Sequence, residues 1–552
     1  MKKFKFVAFL LACVITFPLF ACSNNSGVVI DETKTQIYID HYNGGVGDAW
    51  FAPLKTRFEE AYKDYEIGDK KGVQLIISNH KNQGTQIIDT ISSSSMDVFF
   101  SEKFYYYDGL AKDLFLDISD IVTKVNTDGK TIESKLSQTQ SDFYKYNEKY
   151  YALPHYAYYG GLPYNVDVFE DNLLYFSNNS KVNGGFITSL ESTRSLGPDG
   201  KTGKIDGVNY SLDDGLPATY EEFFKLCDRM IDCDVIPFTW SGEYGKAYFT
   251  SFLTRLAISY EGKEQSLLNF TFDGTAKNLI KSIDDNGVVT FEEPTTIKQD
   301  NGYRIYESAG RYYALKFGEQ IFSNRDYYDF ERVSNGSDSH TDAQTRFVLS
   351  NYDPAEKPIA FLIDGTYWEN EADGVGAFAT LKNLYRVEKQ DARFGFMPMP
   401  KVDASHIGDK DVFMDGAISL AFINANVQNR CPEKIDLLKK FLQFCYTDAS
   451  LREYTVETGS LKAIEYNLTD DDKQQLSYFT RSVVDFKEQS DAIPPFANSI
   501  KFVNNQETLS FGNTFSTSNY SFALSALKDG VKAKDYFNQI ILNHDSDFWG
   551  RI

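Results

Sequence analysis

Hydrophobic and polar positions in the first hundred residues alternate between a strand pattern and a helix pattern. Residues 35–42 (TQIYIDHY), 73–78 (VQLIIS) and 97–101 (DVFFS) are rich in β-branched and aromatic side chains, which favours strands. After Asp48, a predicted N-cap, large apolar side chains recur every four residues, which predicts a helix with one buried face: Trp50, Leu54, Phe58 and Tyr62. This alternation predicts an α/β fold whose ligands bind at the carboxyl ends of strands.

Residues 150–165 (YYALPHYAYYGGLPYN) form the most distinctive stretch of the chain. Proline fixes φ and lacks a backbone donor, so Pro154 and Pro163 argue against a helix here. Tyrosines and leucines between them favour extended backbone. Composition alone favours a buried edge strand followed by a turn for this stretch.

Residues 146–169 carry this stretch within a longer pattern, Y-N-x-K-Y-Y-A-L-P…Y-N-x-D-x-F. The pattern resembles the segment of family 1 extracellular solute-binding proteins in which the chain first crosses between two lobes. The resemblance implies that the segment is part of a hinge. It also implies that its side chains face a ligand cleft, with Tyr156 and Tyr158 predicted to contact the ligand.

Further short motifs resemble the same family and occur in the family's order: residues 96–100 (MDVFF), 213–223 (DDGLPATYEEF), 394–400 (FGFMPMP) and 457–462 (ETGSLK). Together they imply an α/β, two-lobed fold of the periplasmic-binding-protein type, with hinge crossovers and a ligand cleft between the lobes. The implied division assigns residues 35–153 and 396–458 to lobe one. Residues 154–395 and 459–552 are assigned to lobe two, with residues 262–353 predicted to add helices to it.

Aromatic and polar side chains at strand ends supply the predicted carbohydrate site. Trp240 follows the apolar segment IPFT, and Trp368 lies in a loop resembling the family's G-x-x-W after a predicted strand at 358–364. Each indole offers a broad face on which a sugar ring can stack. Four other residues are predicted to hydrogen-bond sugar hydroxyls: Asn43, Glu102, Asp364 and Asp415. The alternatives are core tryptophans, a solvated loop acid at Glu102 and a capping acid at Asp364.

Length, amino-acid composition and net charge limit the classes of function that are possible for this chain. At 552 residues, 42% of them hydrophobic, the chain is globular and long enough for two or three domains. A formal charge of −22 repels phosphate backbones, which excludes nucleic acid as a partner. Aromatic residues make up 15%, mostly tyrosine and phenylalanine, and exposed aromatic faces are surfaces on which sugars stack.

The N-terminal residues predict export and membrane attachment. Three lysines precede an apolar run at 6–21 that is too short for a typical membrane span, and L-F-A-C ends at Cys22. This pattern resembles a bacterial lipoprotein signal. It implies a signal peptide at 1–21, a lipid on Cys22, a tether at 22–34 and a location at the cell surface, on the outer face of the cytoplasmic membrane. An ordinary secretory signal is the alternative.

No motif for catalysis, metal or cofactor binding is complete. Residues 197–202 (GPDGKT) lack the first glycine of a phosphate-binding loop, because Ser195 occupies that position. The acidic residues near 284–287 do not match a calcium loop. Buried free thiols are the favoured interpretation of the remaining cysteines, although an exported protein could oxidise a pair: Cys227, Cys233, Cys431 and Cys445.

The resemblance implies a non-enzymatic, monomeric binding protein that captures a carbohydrate and delivers it to the permease subunits of an ABC importer. It implies no catalytic residue, cofactor or metal. Two alternatives stay open on the sequence. An exported glycan hydrolase would need two carboxylates flanking the scissile bond, and an adhesin or peptide-binding lipoprotein could use the same fold.

Overall fold

The computed structural model describes residues 29–81, 88–102, 105–179, 183–201, 212–416 and 418–552. The predicted signal peptide, Cys22 and most of the tether lie outside the described residues. None of the described helices is long and apolar enough to cross a membrane. The four described cysteines are free thiols, with Cys227 and Cys445 buried.

The first sheet has five strands, in the spatial order Val73–His80, Thr35–Tyr42, Val98–Glu102, Ser419–Ile423 and Leu153–Pro154. The first three are parallel, and Ser419–Ile423 pairs antiparallel with both of its neighbours. Because Ile37, Ile39 and Leu75 are fully buried, the apolar pattern at these strands encodes the core of this half. The predicted strands are confirmed here: Thr35–Tyr42 has the predicted bounds, and the bounds of the other two differ by one or two residues.

Helices cover the first sheet, including the one predicted from the four-residue apolar spacing: Phe51–Ala61, Tyr106–Ala111, Ser119–Thr123, Gln138–Tyr144, Val427–Arg430, Ile435–Cys445 and Asp448–Thr458. The predicted cap of the first helix is wrong. Trp50 occupies the N-cap without a side-chain hydrogen bond, while the Asp48 carboxylate accepts a hydrogen bond from Asn79 Nδ2 at 2.5 Å. The Asp48 side chain therefore binds Asn79, near the end of the neighbouring strand, instead of capping the helix.

The second sheet has four strands, in the order Ile236–Thr239, Ile359–Leu362, Pro163–Asn165 and Phe394–Phe396. The first two are parallel and Pro163–Asn165 runs antiparallel to both neighbours. Thr219 caps the helix Tyr220–Asp232 by accepting from the Glu222 amide, as the T-x-x-E spacing predicts. The helices near this sheet are Val166–Asp171, Tyr220–Asp232, His340–Leu349, Trp368–Gly374, Ala377–Thr380 and Tyr478–Gln489.

A third, mainly helical region packs beside the second sheet and joins distant parts of the chain. Its longest helix, Gly245–Thr271, breaks at Gly262, where φ is 72°, and packs against Ala309–Ile321. Two hairpins accompany them: Gly274–Ala276 with Thr295–Ile297, and Ile280–Ile283 with Val289–Phe291. The expected extra helices are present, and the hairpins are additional. C-terminal helices complete the region: Ala523–Lys528, Ala533–Asn543 and Ser546–Arg551.

Three segments of chain cross between the two sheets. Residues 155–162 are extended, as predicted, with Gly160–Gly161 paired antiparallel to Asp364–Gly365. Residues 397–416 return toward the first sheet, and residues 459–465 leave it again. The crossings are hydrogen-bonded to one another, for example from the Ala157 amide to the Leu461 carbonyl at 2.9 Å. Such a bundle of crossings holds two lobes together while permitting hinge motion.

Candidate functional site

The candidate site lies where the first crossing passes the carboxyl ends of the first-sheet strands. Asn43 directly follows the strand Thr35–Tyr42, and Glu102 is the last residue of Val98–Glu102. The Asn43 side chain accepts a hydrogen bond from the Gly47 amide at 3.2 Å, so it orders its own loop. That loop faces the second half of the chain, since Asn370 Nδ2 donates to the Val46 carbonyl at 3.4 Å. The edge of the first sheet therefore meets the second-sheet half at a closed cleft.

Tyrosine rings fill the centre of this cleft. Tyr156 is buried and its hydroxyl donates to a Glu102 carboxylate oxygen. Burial, together with the Glu102 charge, raises the pKa of Tyr156 well above its usual value. The Tyr367 ring lies edge-on to Tyr156 and tilted against Tyr158, with centroid distances of 5.7 and 4.9 Å. Two predicted ligand residues, Tyr156 and Glu102, are thus brought together.

Tyr158 is held between two glycines, Gly365 at the end of the second sheet and Gly416 in the second crossing. A Cβ added to Gly365 would lie 2.1 Å from the Tyr158 ring, and one added to Gly416 would lie 2.9 Å from it. The Tyr158 amide donates to Asp415 Oδ1 at 2.9 Å, and the Gly416 amide donates to the Tyr158 carbonyl at 2.6 Å. Asp415 therefore positions the crossing through its side chain, and only glycine permits the ring to lie this close to the backbone.

Several buried polar atoms in the cleft have no hydrogen-bond partner among the described residues. They include the hydroxyls of Tyr158 and Tyr367 and the Oε1 atom of Gln344. An unsatisfied buried polar atom costs roughly 1–3 kcal/mol, so such atoms normally have a hydrogen-bond partner. These atoms are the ones that a polar ligand would satisfy.

Two further carboxylates stand on the second-sheet side. Gln344 Nε2 donates to Asp364 Oδ2 at 3.0 Å and to Glu371 Oε2 at 2.7 Å. Burial raises the pKa of Asp364 well above its usual value, and the neighbouring Glu371 charge adds to the effect. Asp364 also accepts from the Gly365 amide at 2.7 Å.

A cavity of about 200 Å³ adjoins the tyrosine cluster. It extends from the first crossing to the helix Gly245–Thr271 and the C-terminal region. Its polar lining suits hydroxyl groups, and Phe511 and Ile258 supply apolar contact. The polar and backbone lining includes Tyr158, Gly160, Thr250, Ser251, Thr254, Arg255, Asp415, Gly416, Ser510 and Gly512.

Among known proteins, no family model matches the chain and no curated protein matches its sequence. Solved structures do match. A chitin oligosaccharide binding protein aligns over 93% of this chain and 99% of its own, with TM-score 0.53 and 13% identity. A maltose-bound MalE3 of T. maritima aligns over 92% and 99%, with TM-score 0.52 and 13% identity. The fold is that of the two-lobed solute-binding proteins. The resemblance that short motifs carried in the sequence is confirmed at the level of the fold.

Within this solute-binding fold, the two predicted stacking tryptophans are buried core residues. Trp368 is 0% exposed and packs edge-on against Phe347, Phe394 and Phe479 at 5.1–5.4 Å. Trp240 is 2% exposed and packs against Tyr328. The two rings belong to separate hydrophobic clusters. The prediction that they line one cleft is therefore wrong for this structure, because neither ring has a free face.

The cleft uses residues that sequence reasoning missed. Tyr367, rather than its neighbour Trp368, turns toward Tyr156 and Tyr158. The G-T-Y-W motif could have indicated that Tyr367, not Trp368, faces the cleft. A helix begins at Trp368, so the side chains of these two neighbours point in different directions. No local sequence motif identified Gln344 or Glu371. Each lies on a helix whose sequence gives no sign of a binding residue. They reach the cleft only through packing of those helices onto the second sheet.

Proposed function

We propose that this chain is a binding protein that captures a carbohydrate outside the cell and delivers it to an ABC importer. The observation that carries the proposal is a closed cleft in which buried tyrosine hydroxyls and carboxylates face one another across the crossings of a solute-binding fold. Sugars present many hydroxyls on a partly apolar ring, so a site of aromatic rings and carboxylates suits them. Of the two solved structures named above, one is a chitin oligosaccharide binding protein and the other is a maltose-bound MalE3.

The ligand on this proposal binds at the tyrosine cluster and the adjoining cavity. Tyr156, Tyr158 and Tyr367 supply ring faces and hydroxyls, while Glu102, Asp364 and Asp415 lie at the ends of the surrounding strands and crossings. Asn43 supports the loop that closes over them. Closure of the two lobes traps the sugar, so the protein needs no catalytic residue, cofactor or metal.

The signal-like N-terminus supports a second part of the proposal. Lipid attached to Cys22 anchors the protein to the outer face of the cytoplasmic membrane, and the polar residues after it act as a tether. The protein acts there as a monomer that presents its loaded form to the permease subunits.

A thermal-shift screen against mono- and oligosaccharides tests the binding proposal. A sugar bound only by the folded state raises the melting temperature, by an amount equivalent to about 2.7 kcal/mol at a hundred times Kd. We expect at least one sugar to shift melting and to be recovered intact after hours with the protein. Sustained release of products at about 1 per second would instead identify a glycan hydrolase. Absence of any shift across the panel would reject carbohydrate as the ligand.

A further inference from the structure

Two carboxylates of the cleft share a single hydrogen-bond donor. Gln344 is fully buried, and its Nε2 atom donates to both Asp364 and Glu371, at 3.0 and 2.7 Å. Asp364 is 2% exposed, and the Glu371 side chain is 14% exposed. Two like charges this close and this well shielded from water repel each other strongly, because the local dielectric constant is low. One amide dipole does not supply the positive charge that such a pair requires.

No lysine or arginine in the described ranges forms an ion pair with either carboxylate. The ionisable base nearest to them in an ion-pair contact is His340, whose Nε2 lies 3.7 Å from Glu371 Oε1. Its ring is partly exposed and packs edge-on against Tyr244 at 5.4 Å. The remaining titratable groups that influence the pair are tyrosines, Tyr158 and Tyr248, which carry no positive charge. The carboxylate pair is therefore short of a cation.

Unpartnered polar atoms of buried residues lie in the same cleft as this pair. Gln344 Oε1 has no hydrogen-bond partner within the described part of the chain, although the residue is 0% exposed. The Tyr367 hydroxyl also has no hydrogen-bond partner there, and Tyr367 is 6% exposed. The opposite lobe closes over them: a Cβ on Gly45 would lie 2.7 Å from Glu371 Oε1 and 3.1 Å from the Tyr367 ring. The unpartnered polar atoms and the uncompensated carboxylates therefore lie on the same surface, the one that the opposite lobe covers when the cleft closes.

We propose that Asp364 and Glu371 form a subsite for a protonated amine, so that the ligand is an oligosaccharide containing an unacetylated amino sugar. The proposal rests on carbohydrate binding as proposed above. An ammonium group provides the missing charge and three N–H donors, enough for both carboxylates and Gln344 Oε1. The Tyr158 and Tyr367 hydroxyls then bond to ring hydroxyls. A neutral sugar donates hydrogen bonds but leaves two buried negative charges uncompensated, so closure over it requires uptake of a proton.

The test compares three oligosaccharide series of equal length by titration calorimetry: glucosamine oligomers, their N-acetylated forms and neutral glucose oligomers. We expect the glucosamine series to bind at least about ten-fold more tightly than the others at pH 6.5, a difference of about 1.4 kcal/mol. Raising the pH should erode this preference as the sugar amine loses its proton. Equal affinity for amine and acetylated forms would overturn the amine subsite while leaving carbohydrate binding intact. Failure of all three series to bind would reject the proposed function itself.

Matched variants separate the subsite from the overall fold. Glu371→Gln should cut the preference for the glucosamine series over the neutral oligomers about ten-fold. Asp373→Asn removes an exposed acid from the same helix and should change neither affinity. Asp364→Asn should additionally raise the melting temperature of the unliganded protein, because it relieves the buried pair. An unaltered preference in Glu371→Gln, with normal melting, would refute the assignment.

Discussion

Lys462 lies buried on the third crossing, inside a cage of aromatic rings. Its Nζ is 2.7 Å from His155 Nδ1 and lies over the rings of Tyr454 and Trp50 at 4.0 and 4.7 Å. It forms no ion pair with any carboxylate of the described residues. Burial lowers the pKa of Lys462 to about 7, and the pKa of His155 falls well below its usual value for the same reason. The crossing thus contains an amine whose charge is disfavoured by folding.

Replacing this amine should therefore stabilise the protein in a pH-dependent way. The unfolded lysine keeps its proton up to about pH 10.4, so between that pH and about 7 the unfolded state binds more protons than the folded state. Wild-type stability consequently rises with pH across this window. We expect Lys462→Met to raise the free energy of unfolding by roughly 2–4 kcal/mol at pH 7, and by progressively less toward pH 10.

Urea unfolding of both proteins at pH 7 and pH 9.5 measures this difference. Lys298→Met, at an exposed position, is the control and should give the same difference from wild type at both pH values. If the gain in free energy of unfolding from Lys462→Met instead increases with pH, the Lys462 amine is charged and stabilising in the folded state.

At the scale of elements, glycines in the crossings determine how closely the lobes approach. Gly365 pairs with Gly160 in the short ladder between the first crossing and the second sheet, and the Tyr158 ring rests against it. A methyl group at Gly365 would overlap that ring at 2.1 Å. The ring belongs to the first crossing, so the clash would force that crossing away from the end of the second sheet.

Gly365→Ala should accordingly weaken ligand binding by about ten-fold or more and lower stability by roughly 1–3 kcal/mol through overpacking. Gly374→Ala is the matched control, since a Cβ there meets no atom within 4 Å. Calorimetry with the sugar found by screening, together with melting curves, measures both effects. Normal affinity in Gly365→Ala would mean that Tyr158 can move without cost and does not organise the site.

At the scale of the whole molecule, the chain builds two sheet-based halves and a helical region from segments far apart in sequence. Phe143 of the first half stacks on Phe496 at a centroid distance of 4.0 Å, and Arg311 donates from its NH2 group to Thr514 at 3.1 Å. The C-terminal region thus connects the first half to the helical region. It also supplies Ser510 and Gly512 to the cavity wall.

The proposed lipid anchor attaches the whole protein to the membrane through one residue, Cys22. Cys22→Ala should leave melting unchanged but release the protein into the medium or the soluble fraction, because a chain without lipid has no apolar segment left after signal cleavage. Fractionation of cells, followed by a carbonate wash, measures this. A variant that stays with the washed membranes would show that the N-terminal segment itself is the anchor.

By itself, the sequence determined the elements of this protein and their order. Strand and helix patterns at 35–42, 51–61 and 73–80 arise from local side-chain periodicity, which the chain carries whatever its partners. The prolines at 154 and 163 forced extended backbone at the first crossing. Tyr156 and Glu102 could be proposed as neighbours because crossings and strand ends meet at the same edge in this kind of fold.

Only the tertiary structure decided which side chains face the cleft. Whether Tyr367 or Trp368 faces it depends on the direction in which one helix begins and on what packs behind it. Gln344 and Glu371 belong to separate helices, and their shared hydrogen bonds exist only after both helices pack on the second sheet. Contacts between residues distant in sequence leave no periodic pattern, so the sequence could predict an aromatic, acidic site and some of its members but not Tyr367, Gln344 or Glu371.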